Sequence, residues 1–333
     1  MKASMKDVAN HAGVSVATVS HVINQTRFVS ESTRQKVLDS IKALNYVPDQ
    51  MGKIFKTGKR NLIGIIIPDI ANPVWAMLIE EVEGILSSQG FHIIISNTKE
   101  TASRELDNIR LLSSGIVDGL IIASTLTDYR EIEASVPNGF PIVLVDRSLA
   151  SAPWDTILPA DYKAVYEGVE RMIRAGHKRI GFISGLERLS TSAERLKAYR
   201  NAMEYYSLPV EPGFIQPGNS LANSALPLLQ NLLNIGCSAV VASNNVMLDD
   251  VLFYLKDHNI TPGKDLALFG QMLDGSANYN LRYMDMMVQQ TKGIGVAAGE
   301  KMLFRLENPQ APAEKILLQS LLVKQTSTLS RAV

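Results

Sequence analysis

"DVANHAGVSVATVSHVIN", residues 7–24, reads as two short helices around a Gly-Val-Ser turn. Val8, Ala9 and Ala12 line one face of the first helix, and Gly13 ends it, because glycine accepts the left-handed conformation of a helix C-cap. Ser15 is placed to cap the second helix, its hydroxyl over the amide of Ala17 or Thr18. In that helix Val19, Val22 and Ile23 follow the i, i+3, i+4 spacing of a buried stripe. The opposite side then carries Ala17, Ser20, His21 and Asn24, with Val16 on its flank. A third helix starts near Ser30 ("SESTRQKVLDSIKALNY") and is expected to bury Val37, Leu38, Ile41 and Leu44. Three helices with a short glycine-containing turn fit a helix-turn-helix unit, which lays its second helix in a DNA major groove. They also fit a small helical cap.

Charge separates these readings in part. The chain of 333 residues is formally neutral, yet residues 1–60 hold ten Lys/Arg against four Asp/Glu. That leaves +6 on the head and −6 on the remainder, a distribution suited to a polyanion at one end or to a solvated basic face. The outward side of residues 16–24 carries usable chemistry. His21 can donate or accept at a base edge, Val16 and Ala17 can touch a thymine methyl, and Ser20 and Asn24 can bond a phosphate or base.

At 46% hydrophobic and 20% charged, the composition is that of a globular protein. No apolar run approaches eighteen residues, so no membrane span is expected. The opening "MKASMKDVANHAG" lacks the apolar stretch of a secretory signal, and a cytoplasmic, nucleoid-associated protein is expected. The lone Cys237 forms neither an internal disulfide nor a cysteine metal cluster. Neither a metal nor a cofactor is expected.

Beyond Arg60, buried β-type runs alternate with helical stretches. The runs are "LIGIIIP" (62–68), "FHIIIS" (91–96), "DGLIIA" (118–123), "PIVLVD" (141–146), "RIGFIS" (179–184), "SAVVAS" (238–243), "DLALFG" (265–270) and "KILLQSLLV" (315–323). Such alternation predicts parallel sheets with helices on both faces. There are too many strands for one sheet, so two α/β subdomains are expected. Ligands in such sheets bind beyond the carboxyl ends of the strands, and two facing sets of ends form a cleft that can close.

"MKDVANHAGVSVATVSHVINQTRFVSESTRQKVLDSIKALNYVP" resembles the DNA-binding head of the lactose-repressor family of bacterial transcription regulators. "IGIIIPDIANPVW", "VDGLIIAS", "PIVLVDR", "AGHKRIGFISG" and "SAERLKAYRNAM" continue the resemblance, in order, with the family's periplasmic-binding-protein-like effector domain. The resemblance implies a helix-turn-helix domain at 1–47, a hinge helix or linker at 48–60, and an effector-binding and dimerisation domain at 61–333. Within the last, subdomains of about 61–160 with 291–319 and about 161–290 with 320–333 are implied. The candidate DNA contacts are Ser15, Val16, Ala17, Thr18, Ser20, His21 and Asn24, and the resemblance puts Val16 and Ala17 at positions that select the operator. In "PDQMGKIFKTGKR" it aligns Phe55 with an apolar wedge that enters the minor groove and bends the duplex. Interior Gly52, costing about 0.5–1 kcal/mol relative to alanine, leaves the linker equally readable as a flexible basic tether.

Candidate effector contacts are the polar and aromatic residues at strand ends. These are Asp69, Asn72 and Trp75, whose indole face suits a sugar ring, then Asp146 and Arg147, Arg188, Arg195 and Asn244. By resemblance Arg195 grips sugar hydroxyls and Asn244 belongs to the same pocket; each residue also reads as a helix cap or an ion pair. Sugar-binding members carry an aspartate after the strand ending here at Gly270. This chain has "FGQMLDGS", with Gln271 and Met272 there, and a missing carboxylate beside three arginines suits a sugar acid or sugar phosphate. An unusual neutral ligand, or none, also fits.

An enzyme is not expected. "GIGVAAG" (293–299) has the wrong spacing for a dinucleotide fingerprint and reads as helix packing. The five histidines are scattered. A free sugar-binding protein would leave the basic head unexplained. The reading is therefore a homodimeric regulator, a repressor of carbohydrate transport or catabolism genes, binding a pseudo-palindromic double-stranded operator under control of a small effector. Without a trailing leucine heptad in "STLSRAV", a dimer is expected rather than a tetramer.

Overall fold

A computed structural model describes residues 3–24, 26–47, 59–273 and 284–324. Phe55 lies outside them, as does most of the linker. The chain divides into two compact units, Met1–Arg60 and Asn61–Val333.

The first unit is helical. Helix α1 (Met5–Ala12) opens on a reciprocal cap: the Ser4 amide donates to the Asp7 carboxylate at 2.8 Å, and the Asp7 amide donates to Ser4 Oγ. It closes on Gly13, at φ 66°. Helix α2 (Val16–Asn24) starts beneath Ser15, whose Oγ accepts from the Thr18 amide at 3.1 Å. Helix α3 is Glu31–Ala43. Val8, Ala9, Val19, Val22, Val37 and Tyr46 form the core, with Ile23, Ile41 and Leu44 packed against it. Leu38 departs from expectation and is 42% exposed. Val37, Ile41 and Leu44 already define the inward stripe, and one residue further is a rotation of about 100° away from it. Ser40 is buried instead, bonded to His11 Nδ1 at 3.0 Å and donating to the Lys36 carbonyl.

The second unit holds two six-stranded sheets. The first comprises β1 (Leu62–Ile67), β2 (His92–Asn97), β3 (Gly119–Ile122), β4 (Ile142–Val145), β5 (Asp155–Ala160) and β11 (Lys315–Gln319). Its order is β11-β5-β4-β3-β1-β2, parallel throughout. Helices α4 (Pro73–Ser88), α5 (Ala102–Ser113), α6 (Tyr129–Glu133) and α11 (Thr291–Glu307) belong to this lobe. The second sheet comprises β6 (Ile180–Ser184), β7 (Ile215–Pro217), β8 (Ala239–Ala242), β9 (Ala267–Met272), β10 (Asp285–Val288) and β12 (Leu321–Val323). Its order is β12-β10-β9-β8-β6-β7, with β12 alone antiparallel. Helices α7 (Tyr162–Arg174), α8 (Ser190–Tyr205), α9 (Leu226–Asn234) and α10 (Asn245–Asp257) pack on it.

The fold is thus a helical head followed by an α/β body with two predominantly parallel sheets. Two runs differ from the continuous buried strands expected. "KILLQSLLV" divides at Ser320, giving β11 to one sheet and β12 to the other. "FHIIIS" is an edge strand, and Ile95 in it is 41% exposed. The chain passes between the lobes three times: at Asp161, at Gln289–Gln290 and at Ser320.

"GIGVAAG" is helix packing. A Cβ on Gly295 would lie 2.5 Å from the Leu78 carbonyl oxygen of α4, and one on Gly299 would lie 2.9 Å from Ile85 Cβ. Gly295→Ala is therefore expected to cost about 1–3 kcal/mol in urea or thermal unfolding. Gly84→Ala, on the same pair of helices but with no atom within 4 Å of its new methyl, is expected to cost nothing.

Candidate functional site

In α2 the buried side is Val19 and Val22, which leaves Val16, Ala17 and Asn24 exposed and Thr18, Ser20 and His21 half-buried. The polar groups are held locally. His21 Nδ1 meets Thr26 Oγ1 at 2.8 Å, and Asn24 Nδ2 donates to the Ser20 carbonyl at 2.9 Å. Ser15 is used at the helix start, its hydroxyl also 2.9 Å from Thr18 Oγ1. The presented surface is small, so a groove-sized partner meets no bulky side chain, and the His21 and Asn24 bonds exchange at little cost because both are solvated.

A cleft lies at the carboxyl ends of both sheets. Lining it are Asp69, Asn72, Trp75, Asp146, Arg147, Arg195, Asn244 and Gln271 from among the residues singled out by sequence. Glu100, Thr191, Ser192, Ser220, Asn245 and Gln289 join them. The position follows from topology: β1 lies between β3 and β2, and β6 between β8 and β7. The connections leave in opposite directions there, and the strand ends are open.

The charged and amide side chains of the lining are paired. Asp69 accepts from Lys99 Nζ at 2.6 Å. Asn72 caps α4 and exchanges amide bonds with Asn245 across the cleft, at 2.9 and 3.5 Å. Asn244 caps α10 through the Met247 amide at 2.8 Å. Arg147, buried, binds both carboxylate oxygens of Glu100 at 2.9 and 2.6 Å and has Asp146 at 3.6 Å. Arg195, also buried, donates to Asp161 at 2.8 and 2.6 Å and to the Ser243 carbonyl at 2.5 Å. Gln271 donates to Gln289 at 2.5 Å. Desolvation raises the Asp146 carboxyl above the usual carboxylate range, with Arg147 and Arg195 opposing; its backbone is left-handed, at φ 64°.

Two expectations change. Trp75 is 4% exposed and belongs to the core beneath β1, with the Arg147 guanidinium carbon 5.9 Å from its ring centroid. It is a platform for that arginine more than an open stacking face. Arg188 is absent from the lining. It spans the lobes, donating to the Thr125 and Glu100 carbonyls at 3.3 Å each. Together with the Asn72–Asn245 pair and the Ser148 amide on Ser190 Oγ at 2.9 Å, it holds the cleft closed. The remaining cavity is about 50 Å³, room for a few water molecules at about 10–15 Å³ each.

Family models decide what these two sites belong to. That for bacterial regulatory proteins of the lacI family matches residues 4–49. That for periplasmic binding proteins and the sugar binding domain of the LacI family matches residues 60–266. The chain belongs to the LacI family. It is a DNA-binding transcriptional regulator with an effector-binding domain. Catabolite control protein A of Priestia megaterium is 31% identical over 274 residues, 81% of this chain and 82% of its own. The HTH-type transcriptional repressor PurR of Vibrio campbellii is 29% identical over 92% of this chain and 93% of its own. The fold matches a lac repressor dimer crystallised with operator and the anti-inducer ONPF, at a TM-score of 0.84 and 23% identity over 99% of this chain and 100% of that one. These relatives are regulators, not enzymes.

In this LacI-family chain the α2 surface is the candidate DNA interface and the cleft the candidate effector site. The anionic-ligand expectation rested on the absent carboxylate at Gln271. The structure places Asp69, Glu100 and Asp146 in the same lining, three carboxylates against two guanidinium groups. Glu100, Asp161 and Gln289 escaped sequence reasoning because their partners Arg147, Arg195 and Asp161 lie 47, 34 and 128 residues away. Their common signal is position, immediately after a strand or at a lobe crossing.

Removing Glu100 leaves the buried Arg147 with the Ser124 carbonyl at 3.3 Å and the more distant Asp146 carboxylate at 3.6 Å. Glu100→Gln is expected to lower unfolding free energy by about 3 kcal/mol, read by urea titration.

Proposed function

We propose that this chain is a cytoplasmic, homodimeric repressor of carbohydrate transport or catabolism genes, governed by a neutral sugar bound in the cleft. The observation that carries the ligand class is the internal pairing of both lining arginines, Arg147 with Glu100 and Asp146, and Arg195 with Asp161. An anionic ligand would have to displace a buried carboxylate from its guanidinium, whereas hydroxyls need only share the remaining donors and acceptors. Asn72, Asn244, Asn245 and Gln271 supply amides that both donate and accept, which matches a hydroxyl. A cavity of about 50 Å³ is well below the roughly 300 Å³ of ordinary ligand sites. Binding therefore requires the lobes to separate and close again.

Each head reads one half of a two-fold operator, as Val16, Ala17 and His21 reach base edges and Ser20 and Asn24 reach phosphates or bases. Phe55 acts as the minor-groove wedge. The repressor named PurR and the catabolite control protein named above support the regulatory role. Residues 1–47 form the reading domain, 48–60 the linker and 61–333 the sensing domain. Exposed Ile95, Leu111 and Phe253 supply apolar surface for pairing two copies. A sugar that prefers one arrangement of the lobes changes operator affinity by its differential binding alone.

Two measurements check this. In a thermal-shift panel of neutral sugars, sugar acids and sugar phosphates, a neutral sugar at about 100 times its Kd raises Tm by about 5 °C or more. Stabilisation by the anionic compounds alone contradicts the ligand class. For DNA, a duplex is selected from a randomised library, and His21→Ala is compared with the native chain by fluorescence anisotropy. The expected loss is about 1–3 kcal/mol on the selected sequence with little loss on random DNA; equal losses on both contradict base reading by His21.

A further inference from the structure

Asp161 is fully buried and is itself one of the three lobe crossings. The other two bond to its carboxylate. Ser320 Oγ donates to Oδ1 at 2.5 Å, and Gln289 Nε2 donates to Oδ2 at 3.1 Å and lies 3.4 Å from Oδ1. Oδ2 also accepts from Arg195 at 2.6 and 2.8 Å. Arg195 and Gln289 face the cleft, and Gln271, another lining residue, donates to Gln289. One carboxylate therefore ties all three crossings to each other and to the cleft floor.

We propose that Asp161 is the positioning residue that sets the opening of the two lobes and transmits ligand contact at Arg195, Gln271 and Gln289 to the crossings. Movement of one lobe against the other turns the backbone at residues 161, 289–290 and 320. The bonds meeting at Asp161 must lengthen or exchange when it does. Their acceptor is charged, so each is stronger than a neutral hydrogen bond, and no solvent reaches Asp161 to replace one that breaks. A ligand that draws on Arg195 or Gln271 competes for the same donors. The opening is thereby linked to what occupies the cleft. The transmission half of this inference rests on the cleft being the effector site; the setting of the opening does not.

Pairs of spin labels test the opening without sugar or DNA. Thr127→Cys and Glu187→Cys place labels at exposed positions on opposite lobes, flanking the Arg188 bond to Thr125. Cys237 stays unlabelled, because burial pushes its thiol up to about 11. In the full chain the native sequence is expected to give a single short interlabel distance. Asp161→Asn is expected to add a longer-distance population, roughly tenfold enriched over the native chain. Asp155→Asn is the control. Asp155 makes a buried pair with Arg305 at 2.7 Å inside the first lobe and touches no crossing. It is expected to lower Tm while leaving the distance unchanged. Ser320→Ala removes one bond to Asp161 and is expected to shift the distance in the same direction by less, which keeps the test open if Asp161→Asn does not fold. An unchanged distance in Asp161→Asn, or in Ser320→Ala where the former does not fold, overturns the inference. So does an equal shift in Asp155→Asn. Failure of every sugar to bind would remove the ligand class proposed above and leave this result standing.

Discussion

The three passages of the chain between the sheets, at Asp161, Gln289–Gln290 and Ser320, are the constraint on which the rest of the body depends. With three covalent ties at one place, the lobes cannot dissociate or slide freely, and the inexpensive motion left is rotation about those ties. The carboxyl ends of both sheets then face each other, so a ligand site between them is a consequence of topology before any side chain is chosen. Parallel sheets supply this because every strand but β12 points its carboxyl end the same way as its neighbour. β12 reverses because the chain enters it directly from β11 with one intervening residue.

Burying ions in a cleft is costly, and the cleft meets that cost by internal pairing. Asp161 with Arg195, and Glu100 with Arg147, are each closed bidentate or multiply bonded units. Such pairs contribute little net stability compared with apolar residues of the same volume, while losing one partner is severe. Their value here is fixed geometry: guanidinium and carboxylate groups held without freedom present donors and acceptors at set angles to a ligand. Trp75 lies beside the Glu100–Arg147 pair, its ring centroid 5.9 Å from the Arg147 guanidinium carbon.

Much of the fold was legible because its signals are local. Gly13, Ser15 and the stripe of Val19 and Val22 mark α1, the turn and α2 within eighteen residues. Runs such as residues 62–68 and 179–184 mark central strands buried on both faces. Leu38 was misplaced because an apolar residue one step from the stripe looks the same in sequence as one inside it. Strands β5 and β10 were missed as runs because each begins with a buried aspartate, Asp155 or Asp285, whose charge breaks the apolar pattern and is balanced by a distant arginine. The same applies to the cleft. Residues at strand ends could be listed in advance, but the pairing that neutralises Arg147 and Arg195 joins positions 47 and 34 residues apart. Charge balance in the site is a tertiary property, and counting arginines along the chain overstated the positive field.

On the proposed function, cleft and head are two sites of one thermodynamic switch. Linkage requires that what sugar does to operator binding, operator does equally to sugar binding. Calorimetric titration of the stabilising neutral sugar into the full chain, free and then saturated with its selected operator duplex, reads that coupling directly. Sugar dissociation constants are expected to differ by about 5–150-fold between the two titrations. Equal constants would contradict that coupling.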